Sequence, residues 1–194
     1  GNRELLRHAA RVTRDYIAGR TVRYTSPIKY FLITLTLAQL VSWQLGIMQD
    51  FVGGFVEGAD VPLSEGEGAG LLARYFVIVA APVVLILTLL ARVFFRRAGF
   101  NVAELLVLFL YTFGQLCLIF AVLGALLILL PPSATDIGSS LILIAQLVYF
   151  VAATRSTLQL SRVAGTLRVL LLVLLASVLY LPIMVGFASL AGLL

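Results

Sequence analysis

Charge is what this chain has least of. Only 12% of its 194 residues are Asp, Glu, Lys or Arg, while 61% are hydrophobic. Ordinary soluble domains carry roughly 25% charge and about 45–50% apolar residues. The composition, with a mean hydropathy of +1.09, excludes a water-soluble globular domain. It equally excludes intrinsic disorder, which needs low hydrophobicity and high charge. Histidine and cysteine are almost missing, with one of each, His8 and Cys117. They cannot make an intrachain disulfide or a Cys/His zinc site. Nor do they supply Ser-His or Cys-His catalysis, since His8 lies among polar N-terminal residues and Cys117 lies inside an apolar run. The chain has no Gly-Lys-Ser/Thr phosphate loop and no dinucleotide fingerprint. The glycine-rich stretch 53–70 lacks calcium-loop spacing. The expectation is a protein that is not an enzyme, with no catalytic residue, no cofactor and no metal.

Long apolar runs are plentiful. A helix rising about 1.5 Å per residue needs about 20 apolar residues to cross about 30 Å of hydrocarbon. Five stretches meet this: 28–48, 71–95, 102–130, 137–153 and 169–192. Helix is the expected conformation, because a segment in lipid must satisfy its own backbone hydrogen bonds and no period-2 barrel pattern is present. The expected fold class is all-α: a five-helix transmembrane bundle (28–194) preceded by an N-terminal amphipathic interfacial segment (1–27).

The few charges are unevenly placed. Arg3, Arg7, Arg11, Arg14, Arg20, Arg23 and Lys29 precede or open the first run. Arg92, Arg96 and Arg97 join the second to the third, and Arg155, Arg162 and Arg168 join the fourth to the fifth. Of the fourteen basic residues only Arg74 falls on the other side. That side carries Asp50, Glu57, Asp60, Glu65, Glu67 and Asp136. The positive-inside rule then places the N-terminus in the cytoplasm and the C-terminus across the membrane, as an odd number of spans requires. The net charge of +5 reads as topology and contact with anionic lipid. Dispersed in three short segments, these arginines do not form a nucleic-acid surface.

In the segment 3–17, Leu5, Leu6, Ala9, Ala10, Val12, Tyr16 and Ile17 share one face at 100° per residue. Arg3, Arg7, Arg11 and Arg14 share the other. This is the pattern of a helix lying in the cytoplasmic interface with arginines on headgroup phosphates. A helix packed on a partner or on its own bundle has the same pattern. Arg20 and Arg23 extend the headgroup-binding set. Gly19 is a plausible stop, Ser26 or Thr25 could cap the first span, and Pro27 suits its first turn. Tyr24 and Tyr30 fall at headgroup depth. No cleavable signal peptide is expected from the first apolar run. The chain opens on Gly1 rather than Met, and the expectation is a piece of a longer protein.

Tyr-Ile-Ala-Gly-Arg at 16–20, then Arg23-Tyr24-x-x-Pro27 and the first span, resemble an uncharacterised bacterial inner-membrane family classed as a domain of unknown function. Asn101-Val102-Ala103-Glu104-Leu105-Leu106-Val107 and the stretch 149–155 are similar to it as well. The resemblance implies a bacterial inner-membrane protein. Members of that family often carry a Cys-rich zinc ribbon ahead of this region, which these 194 residues do not contain. They also often carry His after the Glu and within the third span; here those places hold Leu105 and Tyr111-Thr112-Phe113. The five-span layout is similar in architecture to Yip-type trafficking proteins. Neither resemblance implies a reaction.

Ionisable residues inside spans are functional candidates, because charge is costly in lipid. None lies mid-span; Arg74 and Arg92 lie near span ends and can snorkel. Glu104 opens the third span three residues after Asn101. That is capping-box spacing and complements the helix dipole, and it also fits a gating or proton-handling acid. Neutral polar residues do lie at depth: Gln39, Gln44, Gln115, Gln146, Tyr111, Thr112, Tyr149, Ser177 and Tyr180. They are explained either by interhelical hydrogen bonds or by a cavity or pore lined by Tyr111, Gln115 and Gln146 with Glu104. Tyr111 and Gln115 are four apart and share a helix face. Pro82 and Pro182 are hinge candidates. Ala121 with Ala125, and Ala188 with Gly192, have spacing that permits close helix contact.

Two function classes follow. One is a channel, transporter or lipid-handling subunit, as a homo-oligomer or part of a membrane complex. The other is a scaffold or adaptor at the inner membrane. The expected partners are membrane lipids, anionic on the cytoplasmic face, and no nucleic acid.

Overall fold

The computed structural model describes residues 25–45, 81–129 and 131–190. The amphipathic segment 3–17 with Arg3, Arg7, Arg11, Arg14, Arg20 and Arg23, the stretch 46–80 with Arg74, and the last four residues lie outside the described residues. Among the described residues every element is helical. These are α1 (Pro27–Gln44), α2 (Ala81–Phe94), α3 (Val102–Leu127), α4 (Pro132–Thr157) and α5 (Arg162–Leu190), with a 3-10 turn at Arg96–Ala98. Three stretches, Val102–Leu127, Ile137–Thr157 and Arg162–Tyr180, are long and apolar enough to cross a membrane. The chain has the character of a membrane protein.

Sequence chemistry sets the helix ends. Pro27 occupies the first turn of α1, where a missing N–H is no loss. Ser26 makes no side-chain cap there; the ladder begins with the Tyr30 N–H donating to the Ser26 carbonyl at 2.9 Å. Gly99 sits at φ 79° and lets the chain turn from the 3-10 segment toward α3. At the start of α3 the Glu104 N–H donates to Asn101 Oδ1, and the Asn101 N–H donates to Glu104 Oε2, both at 2.8 Å. This is the capping box that the Asn101/Glu104 spacing predicts. Helices α4 and α5 extend beyond the apolar runs that announce them, since α4 starts at Pro132 and ends at Thr157, and α5 starts at Arg162. Hydropathy marks only the lipid-like part of a helix. Polar residues such as Thr154, Ser156 and Arg162 continue the backbone ladder outside it.

The α4–α5 turn is held by a left-handed residue. The Leu158 N–H donates to the Thr154 carbonyl and the Leu160 N–H to the Arg155 carbonyl, both at 3.0 Å. Gln159 between them has φ 53°. Six-to-one closure through a left-handed residue is the usual helix stop, normally made by glycine. Leu160 then covers Gly165, where an added Cβ would lie 2.5 Å from the Leu160 Cβ. Gln159→Gly is expected to raise the unfolding free energy by about 0.5–1 kcal/mol. Chemical or thermal unfolding in detergent checks this, and a destabilised variant would refute it.

The pairing of the helices follows from contacts along their lengths. Gly114 of α3 lies against Tyr30 and Thr34 of α1, and Gly124 lies against Val41 and Leu45, so α1 and α3 run parallel. Leu127 meets Gly138, the Leu116 carbonyl meets Gln146, and Phe109 meets Phe150, so α3 and α4 run antiparallel. The buried core joins all five helices through Phe31, Leu87, Leu108, Phe109, Phe150 and Leu172. It sits toward the end of the bundle where α3 begins and α4 ends. The outward faces of α4 and α5 are apolar and exposed, among them Leu141, Ile144, Val148, Leu167 and Leu174. That surface is what a hydrocarbon solvent requires.

Candidate functional site

Of the deep polar residues, Tyr111, Gln115 and Gln146 make bonds between helices, linking α3 to the α1 segment and to α4. The small residues Thr34, Ala38 and Ser42 recur every four positions on α1 and are buried. Thr34 lies against Gly114 of α3, where Gly114, Ala121 and Gly124 are buried. An added Cβ would come within 2.7 Å of the Tyr30 ring at Gly114 and within 2.7 Å of Val41 at Gly124. The two backbones therefore approach closely, as at small-residue helix crossings in membranes. Gly114 and Gly124 are contact points within an uninterrupted helix, not breaks in it.

Close approach lets short polar side chains reach across. The Tyr30 hydroxyl donates to Gln115 Oε1 at 2.7 Å, and the Tyr111 hydroxyl donates to the Thr25 carbonyl at 2.6 Å. The two tyrosine rings lie 5.8 Å apart. Gln146 Nε2 donates to the Leu116 carbonyl at 3.0 Å, tying α4 to α3 beside the same site. The expected pair Tyr111 and Gln115 is thus brought together on one face of α3. Gln146 stands next to it on α4, while Glu104 stays apart at the helix start in its capping box. Interhelical bonds of this kind contribute on average about 0.6 kcal/mol each in membranes. Thr34, Thr88, Thr112 and Ser177 instead bond back to carbonyls of their own helices.

Two buried hydroxyls have no hydrogen-bond partner among the described residues, Tyr149 and Thr154. Tyr149 lies one turn after Gln146 on α4.

Composition alone did not single out Tyr30 as the partner of Gln115. A signal was present in the four-residue recurrence of Tyr30, Thr34, Ala38 and Ser42, which marks one narrow stripe. Which other helix carried the matching glycines was not written in it.

The basic residues gather at one end. Lys29 lies at the start of α1, Arg92 and Arg96 at the end of α2, and Arg155, Arg162 and Arg168 around the α4–α5 turn. Apart from Arg155 they are exposed. Arg155 folds over the turn, with Nη1 reaching the Arg162 carbonyl at 3.3 Å and Thr166 Oγ1 at 3.5 Å. The parallel α1–α3 pair and the antiparallel α3–α4 pair put these ends on one side of the bundle. Pro82 falls in the first described turn of α2. Pro182 lies inside α5, which continues to Leu190. Among the described residues no group of three or more His, Cys, Asp or Glu is placed to hold a metal ion.

Residues 3–38 match a family described as a protein of unknown function (DUF3667). No curated protein and no solved structure matches the chain. The matched stretch includes Thr25, Tyr30, Thr34 and Ala38, the α1 side of the packed α1–α3 contact.

Proposed function

We propose that this chain is a non-enzymatic membrane scaffold of five spans in the inner (cytoplasmic) membrane. Its N-terminus is cytoplasmic, its C-terminus lies across the membrane, and residues 1–27 rest on anionic headgroups and present a basic face to protein partners. The observation that carries the reading is the use made of Gln115 and Gln146. Each is spent on a bond to a neighbouring helix, which makes a rigid platform. The gathering of Lys29, Arg92, Arg96, Arg155, Arg162 and Arg168 at one end supports the orientation, since cationic residues stay on the cytoplasmic side. Proteins that co-purify with the full chain are expected to be lost on deletion of residues 3–18. Replacing Arg3, Arg7, Arg11 and Arg14 by glutamine is expected to reduce retention of anionic over zwitterionic lipid severalfold, read by mass spectrometry of co-purified lipid. Unchanged partners and unchanged lipid in both experiments would sink the reading.

A second reading, an oligomeric channel, transporter or lipid-handling subunit, is favoured by one observation. Tyr149, three residues after Gln146 on α4, carries a buried hydroxyl with no hydrogen-bond partner among the described residues. Ion or lipid flux in proteoliposomes that falls in Gln115→Leu or Glu104→Gln would support it; no flux under any gradient would remove it.

A further inference from the structure

We propose that, on the basic side of the bundle, the lipid hydrocarbon ends at the level of Lys29 and Arg168, whose side chains hold lipid phosphates. Above that level the α2–α3 and α4–α5 connections stand clear of the hydrocarbon as a water-side cap. The inference rests on the membrane reading proposed above and adds where along the helices the bilayer sits.

Contacts with α3 give a common scale of depth. Tyr30 and Thr34 of α1 lie against Gly114, and the Tyr111 hydroxyl reaches the Thr25 carbonyl at 2.6 Å. The start of α1 is therefore level with Tyr111 to Gly114 and well past Val102. From Val102 to Tyr111 is nine residues, or about 14 Å of helix. Helix α4 reaches the same level from the other direction. The Leu116 carbonyl accepts from Gln146, and Phe113 meets Phe150 edge-on at 5.8 Å. Val148, between those two α4 residues, lies near the level of Gly114.

The outward chemistry of α4 changes at this level. Ile137, Leu141, Ile144 and Val148 are exposed and apolar. Beyond Val148 the exposed positions up to the turn are Ser156 and Gln159. From Val148 to Thr157 is nine residues, again about 14 Å. Helix α5 leaves the turn at Arg162, and Arg155 ties its first turn to α4. Arg168 follows six residues later, about 9 Å along α5. Lys29 and Arg168 thus lie deeper than Arg96 and Arg162, which flank the two connections. Long cationic side chains at the hydrocarbon edge reach back to phosphate.

Helix length and burial agree with this register. The 26 residues of α3 make about 39 Å of helix, against about 30 Å of hydrocarbon. The excess belongs on the basic side, because Leu126, Ile128 and Leu129 at the other end are exposed and apolar. Water drives apolar side chains inward, whereas lipid does not. Phe95, Leu105 and Leu158, close to the connections, are all buried. Val93, Val102 and Val163 are exposed there, scattered singly as on a water-facing surface.

Spin labelling of the full chain in nanodiscs containing phosphatidylglycerol tests the register. Single cysteines are placed at four exposed positions in a Cys117→Ser background. Labels at Leu141→Cys and Leu174→Cys are expected to relax with oxygen and to be shielded from a water-soluble nickel chelate. Labels at Ala103→Cys and Ser156→Cys should show the reverse preference. Oxygen-favoured labels at Ala103 and Ser156 would overturn the register and leave the membrane reading standing. Nickel-favoured labels at Leu141 and Leu174 would overturn both. Lys29→Gln combined with Arg168→Gln is expected to lower co-purified phosphatidylglycerol severalfold, read by mass spectrometry. Arg96→Gln combined with Arg162→Gln, which removes the same charge, should leave it near the wild-type level. No loss from the first pair, or an equal loss from the second, would overturn the assignment of the phosphate contacts.

Discussion

Phe109→Ala is expected to be the most damaging single substitution considered, lowering the unfolding free energy by about 3 kcal/mol. Phe109 is fully buried. It stacks on Phe150 of α4 with ring centroids 6.1 Å apart, and Phe113 meets the same Phe150 edge-on at 5.8 Å. In a lipid solvent the transfer of apolar surface from water cannot drive one helix onto another. Packing and dispersion must carry the association. A cavity at the α3–α4 contact removes that term directly, and the rigid neighbours on both helices limit collapse. Thermal unfolding in detergent or nanodiscs should show a fall of about 6–12 °C, taking 2–4 °C per kcal/mol for a chain of this size. Leu141→Ala on the exposed face of α4, where the side chain is 61% exposed, should move the midpoint by less than about 0.5 kcal/mol. Equal losses at the two positions would mean that α3 and α4 do not pack through these rings.

Gly114→Leu is expected to cost about 2–3 kcal/mol by overpacking and by breaking the Tyr30–Gln115 bond. The Cβ alone would stand 2.7 Å from the Tyr30 ring and 3.2 Å from Thr34 Oγ1. The ring cannot swing away freely, because its hydroxyl is bonded to Gln115 and its face lies near Tyr111. The larger side chain therefore pushes α1 off α3. Part of the loss should already be present in Tyr30→Phe. A double-mutant cycle between the two positions is then expected to show an interaction energy of at least about 0.5 kcal/mol. Strict additivity, or a Gly114→Leu variant as stable as the wild type, would show that α1 and α3 do not meet through this stripe.

These two positions also show how much of the molecule was legible beforehand. The apolar runs announced helices, and helices occupy the described part of every one of them. The Asn101/Glu104 spacing announced a capping box, because a cap depends on residues three apart on one chain segment. Tyr111 and Gln115 were expected on one face, and they are, since a shared face follows from helix periodicity alone. The partners of that face were not legible. Gln115 meets Tyr30, and Tyr111 meets the Thr25 carbonyl, across more than eighty residues of sequence. That Gly114 and Gly124 are points of contact was decided only by α1 lying against them.

Local chemistry depends on neighbours along the chain, so composition, spacing and charge placement determined by themselves the helical class, the capping box that opens α3 and the uneven division of charge. Tertiary structure alone decided which helices run parallel, which glycines admit a close crossing, and which deep polar groups are spent on helix pairing. In an apolar solvent nearly every helix face is compatible with its surroundings. Hydrophobicity therefore cannot choose the pairs, and the choice falls to the fit of small residues and to a few hydrogen bonds that exist only once the helices touch.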